Sequence, residues 1–208
     1  MTTQQGCCVL GLAPHSGWAA VVVLGGTPTR PLVLSRERLE LADAKLAGSR
    51  QPYHAIEALP IAEARTRLAT LAASSARLAA SGLRTLAHTA HAAGMELRAA
   101  GILDAAGRGG LPLETILASH ALIHTADGNF FREALASGCA AQRLPVTRIR
   151  QRDLAAEAAA ELRHSPGELR TMVAQLGREM GAPWGADQKG AALIAWLLLA
   201  RGARLPQR

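Results

Sequence analysis

Two short, uninterrupted apolar runs lie close together near the start of the chain. They cover residues 7–12 and 18–24, separated by Ala13, Pro14 and the turn His15-Ser16-Gly17. Strand-length runs with no polar face predict strands covered on both sides, so their sheet needs a helical layer on each face. The second run is rich in valine and closes at Gly25-Gly26, and residues 31–41 follow as a third strand. Towards its end this strand alternates, Arg36, Arg38 and Glu40 facing one way and Leu39 and Leu41 the other. Alternation of that kind belongs to an edge strand with one wet face. Three strands joined by short turns predict an antiparallel meander.

Residues 42–59 are polar and predict an irregular surface loop. The period then becomes helical over residues 60–93, with Leu68, Leu71, Leu78 and Leu86 as the apolar stripe and Gly94 as terminator. Residues 96–103 predict a fourth strand and 107–112 a flexible loop, while 113–124 suits a short helix or a strand equally. Asp127 reads as the N-cap of a helix over 128–143, residues 146–152 as a fifth strand, and Asp153 as the cap of the next helix. Ser165-Pro166-Gly167-Glu168 is a capping box with proline at the first helical position. Residues 181–185 break that helix, and Asp187 caps a final apolar helix ending near Leu199. The expected class is α/β: a five-stranded mixed sheet, a three-strand meander followed by alternating helices and strands, with helices on both faces. At 208 residues one well-buried domain accounts for the whole chain.

The formal charge of +7 is carried almost wholly by arginine, since lysine occurs only at Lys45 and Lys189. Such a balance predicts a polyanionic partner, DNA or RNA, or else reflects the base composition of the genome. Cys7, Cys8 and Cys139 have no disulfide or zinc spacing, and no signal peptide or membrane-length apolar run is evident, so a cytoplasmic protein is expected. Trp18, Trp184 and Trp196 are far apart in sequence and read as packing residues.

Val9-Leu10-Gly11-Leu12-Ala13-Pro14-His15-Ser16 resembles the first strand of the RuvC-type Holliday-junction resolvases, which reads apolar-Leu-Gly-Ile-Asp-Pro-Gly-Ser. Residues 165–198 resemble that family's C-terminal region, and the element order is similar to that of the ribonuclease-H-like superfamily. The resemblance implies phosphodiester cleavage with two divalent cations, Mg or Mn, held by several converging carboxylates. The sequence departs at those positions. Ala13 stands where the first-strand aspartate would be, and Ala99, Ala100 and Gly101 where a glutamate is expected. Asp187 matches one acidic position of the last helix, and Gly190 occupies the next. Glu96 and Asp104 are the carboxylates that could stand in.

Three sets of residues could still carry chemistry. His15, Asp187 and Lys189 are expected near the end of the first strand, where they would bind a metal or a phosphate; alternatively His15 is a turn residue and Asp187 only a cap. His120 and His124, four apart, share one face in either a helix or a strand. With Asp127 or Asp187 they would form a catalytic or metal-binding set, or else pack with no chemical role. Arg148, Arg150 and Arg152 alternate on the expected fifth strand and, with Arg143, would make a phosphate-contacting ridge or a solvated edge. The expected function is a divergent resolvase-like domain without two-metal nuclease activity, binding nucleic acid or a partner on a nucleic-acid pathway, with homodimerisation through the sheet edge or long helix. The alternatives are a metal-dependent phosphodiesterase with a rebuilt His/Asp site, and a purely structural interaction protein.

Overall fold

The computed structural model describes residues 6–105 and 110–202, so residues 107–109 of the expected loop lie outside the described residues. Five strands, β1 (Gly6–His15), β2 (Trp18–Thr27), β3 (Arg30–Glu40), β4 (Met95–Asp104) and β5 (Val146–Arg150), form one sheet in the order β3-β2-β1-β4-β5. The first three pair antiparallel as a meander, and β4 and β5 add in parallel on the other side of β1. The helices are α1 (Ile61–Ala92), α2 (Leu113–Leu117), α3 (His120–Ala141), α4 (Gln151–Leu162), α5 (Pro166–Leu176) and α6 (Ala186–Gly202).

The period of two along each strand sorts side chains between two cores. Val9 and Ala13 of β1, Val22 of β2 and Leu103 of β4 pack with α4, α5 and α6. Leu10 and Leu12 of β1, Val21 of β2 and Ile102 of β4 pack with Leu83 of α1 and Phe131 and Leu135 of α3. The apolar runs are therefore continuous because both faces of the sheet are buried, as the sequence predicts. α6 is buried almost all round, from Ala191 to Ala200, and Trp196 donates its indole N–H to the Pro28 carbonyl at 2.8 Å. It reaches the sheet over Gly11, where a Cβ would sit 1.7 Å from the Ala191 carbonyl oxygen. A side chain at that position would hold the helix away from β1.

Several boundaries differ from those expected. Residues 42–59 are irregular but not merely superficial. They contain a 3-10 turn, His54–Ile56, whose Ile56 is buried with Ala64 and Leu113. The ambiguous stretch resolves into α2 and the start of α3, so Asp127 lies inside α3 and is not its N-cap. An Asp-Gly pair suggests a helix start, but the Asp127 carboxylate is taken up by residues 53 and 54 rather than by its own helix. β5 ends at Arg150, and Arg152 and Asp153 belong to the first turn of α4 with no side-chain cap. The capping box at Ser165 forms as expected, Ser165 and Glu168 bonding reciprocally. The cysteines are free, and burial pushes the Cys8 and Cys139 thiols up to about 11. Among the described residues no helix is long and apolar enough to cross a membrane.

Candidate strand-end site and histidine cluster

His15 continues the odd-numbered phase of β1 beyond Val9, Gly11 and Ala13, so it points to the α6 side of the sheet. There its Nε2 lies 2.9 Å from Asp187 Oδ1 in the first turn of α6. Asp187 does not serve as the helix cap expected of it; its carboxylate is spent on His15. His15 is also the cross-strand partner of Trp18 over the two-residue turn Ser16-Gly17, and the rings stack at 4.5 Å with an interplanar angle of 6°. Arg38 pairs with Ala20, two residues along the same face from Trp18, and its guanidinium carbon lies 3.9 Å from the indole centroid. Arg38 also donates to Glu40 at 2.5 Å. Lys189 is exposed one turn into α6.

Two residues before His15 on the same face of β1 stands Ala13, 4% exposed and part of the apolar core that includes Leu103, Ile149 and Ala191. Gly190 is close-packed too: a Cβ there would sit 2.8 Å from Leu103 Cδ1. Neither carboxylate that could stand in reaches this place. Glu96 pairs in register with Cys7, at the opposite end of β1, and binds Arg98 at 2.9 Å. Asp104 is at the correct end of β4 but in the even-numbered phase, facing α3. There it meets Arg132 at 3.4 Å and Arg148 at 3.2 Å. Burial lowers the Arg132 guanidinium from its ordinary value, Asp104 opposing that shift and Arg148 adding to it. The residues present do not fit two hard divalent cations, which need several converging, unpaired carboxylates.

The arginine ridge does not form as expected. Arg148 lies in β5, but its guanidinium is engaged by Asp104 and by Glu133, the latter at 2.6 Å. Arg152 leaves the strand for α4 and pairs with Asp153 at 3.4 Å, so the alternation stops after Arg150. Arg143 follows α3 with a left-handed φ of 55°, and Arg143 and Arg150 are exposed. Beside Asp104 and Arg148 a cavity of about 700 Å³ runs between α1 and α3, walled by Leu68, Ala72 and Phe130.

His120 and His124 sit one turn apart at the start of α3, both exposed, with their Nε2 atoms 3.0 Å apart. A third imidazole, His54 of the 3-10 turn, joins them, its centroid 4.6 Å from that of His124 and 5.4 Å from that of His120. Its Nδ1 lies 2.5 Å from Asp127 Oδ2, while Asp127 Oδ1 accepts the Tyr53 backbone N–H at 2.7 Å. The expected set therefore divides. Asp127 stands behind the histidines, 4% exposed, and Asp187 is with His15 on α6, in the other helical layer. His54 was not legible in the sequence, because residues 42–59 carry no periodicity that assigns a face. Trp18 had a usable signal: it flanks the same short turn as His15, which makes the two cross-strand neighbours.

No protein-family model matches the chain, and comparison with curated proteins gives no significant match. The chain is similar throughout its length to solved structures that include the following two. T. thermophilus RuvC in complex with a Holliday junction substrate superposes with a TM-score of 0.55 at 12% identity, covering 95% of this chain and 95% of that one. The Thermus thermophilus RuvC structure gives a TM-score of 0.55 at 12% identity, covering 94% of this chain and 95% of that one. With its sheet order and its two helical layers, the chain has the ribonuclease-H-like fold in the form found in RuvC.

Proposed function

We propose that this chain is a resolvase-like domain that binds nucleic acid, or a partner on a nucleic-acid pathway, and does not cut phosphodiesters by two-metal catalysis. The observation that carries the reading is the buried alanine at position 13, in apolar contact at the end of the central strand. Asp187, at the same end of the sheet, and Asp104, at the end of the neighbouring strand β4, are each held by a basic partner. Support for a polyanionic partner comes from the charge of +7, from the exposed cations Arg143, Arg150, Arg152 and Lys189, and from likeness to a protein solved on a junction substrate. The reading includes a homodimer formed along the open edge of β3, where Leu32 and Leu34 are 59% and 43% exposed. A single monomer mass in sedimentation equilibrium would remove that part.

The test is electrophoretic mobility of a labelled four-way junction and a linear duplex with the full chain, followed by incubation with Mg²⁺ or Mn²⁺. Four phosphate contacts predict binding that weakens about a hundredfold between about 50 and about 200 mM salt. The strands should remain intact. Absence of a shift at low salt overturns the binding claim. Cation-dependent cutting that Asp187→Asn or Asp104→Asn abolishes overturns the non-cleaving claim.

A further inference from the structure

We propose that His54, His120 and His124 form a binding site for one zinc-type divalent ion, with Asp127 as the carboxylate that orients His54. Each histidine offers a ring nitrogen, and these lie within 4.8 Å of one another, the only such group among the described residues. The Nε2 atoms of His120 and His124 are 3.0 Å apart. Two nitrogens bound to one tetrahedral zinc at about 2.05 Å would be about 3.3 Å apart, so a small adjustment of exposed side chains admits the ion. The three imidazoles converge, His120 and His124 at hydrogen-bonding distance and each ring edge-on to the other two, so a shared cation would take up nitrogen lone pairs that already face one place.

The second observation is Asp127. It is a carboxylate with almost no exposure, and it is held from both sides by the 3-10 turn: Tyr53 N–H on Oδ1 and His54 Nδ1 on Oδ2. A proton on Nδ1 directed at that carboxylate leaves Nε2 of His54 as the nitrogen with a free lone pair. Carboxylates behind metal-binding histidines fix the tautomer in this way. The donor set is imidazole nitrogen rather than oxygen, which selects zinc, cobalt or nickel over Mg or Mn. Three protein ligands, two of them exposed, leave a fourth position for water. The site lies on α3 and the 3-10 turn, on the opposite face of the sheet from His15 and Asp187, so it owes nothing to the position of the resolvase-type carboxylates.

The experiment is calorimetric titration of the full chain, purified without a histidine tag, with ZnCl₂, and in parallel the visible absorption spectrum with CoCl₂. One ion per chain should bind, and cobalt should give the intense d–d bands of a four-coordinate site. The double variant His120→Asn/His124→Asn alters exposed side chains only and should keep the far-ultraviolet circular dichroism of the parent while losing the ion. Asp127→Asn should weaken binding about 10- to 100-fold. A parent chain that takes up no zinc, or a folded double variant that binds it as the parent does, overturns the proposal.

Discussion

A single side chain decides how position 13 behaves. An alanine there is buried among aliphatic neighbours, and a carboxylate would enter that apolar space while His15, two residues on, is already engaged by Asp187. Ala13→Asp should therefore destabilise the fold by about 3 kcal/mol or more, measured by chemical denaturation without added metal, because an unpaired charge is taken out of water. Unchanged stability would mean that position 13 is open to solvent and that its apolar packing is misplaced. Asp104 illustrates the same rule from the other side. One residue further along β4 than Leu103, it points to the opposite face of the sheet, and two guanidinium groups, not a cation site, hold its charge.

The elements explain why these side chains are where they are. α6 lies in backbone contact with β1 at Gly11, and that close approach brings Asp187 to His15. Gly11→Ala should force the helix outward, with a loss of about 3 kcal/mol or more and a lowered melting temperature; a melting curve matching the parent's would show that α6 does not press on β1. Most of the fold was legible because burial on both faces leaves unbroken apolar runs at 7–12 and 18–24, and because the change to helical period at residue 60 is sharp. What escaped was set by tertiary partners. Asp127 looks like a cap when only its own helix is considered, and becomes an interior residue when Tyr53 and His54 supply its hydrogen bonds. Arg152 looks like strand until α4 begins at Gln151. The site was legible only in part: His15 with Asp187, and His120 with His124, follow from order and spacing, while His54 comes from a stretch with no period to place it.

At the scale of the molecule, one sheet separates two chemistries. The α6 face carries the end of β1, where Ala13 and Gly190 are close-packed beside the His15–Asp187 pair. The α1/α3 face carries the histidine cluster and the salt-bridged Asp104. The two cores that hold the sheet take in Ala13 and Ala100, and Ala99 packs against the first of them, so apolar packing at these positions helps to hold the sheet together. The most direct measurement is a crystal of the chain soaked in MnCl₂ and examined for anomalous density at the end of β1. The account predicts no manganese between position 13 and Asp187, with the His15–Asp187 contact intact. Manganese bound there, coordinated by Asp187 and any second carboxylate, would contradict it.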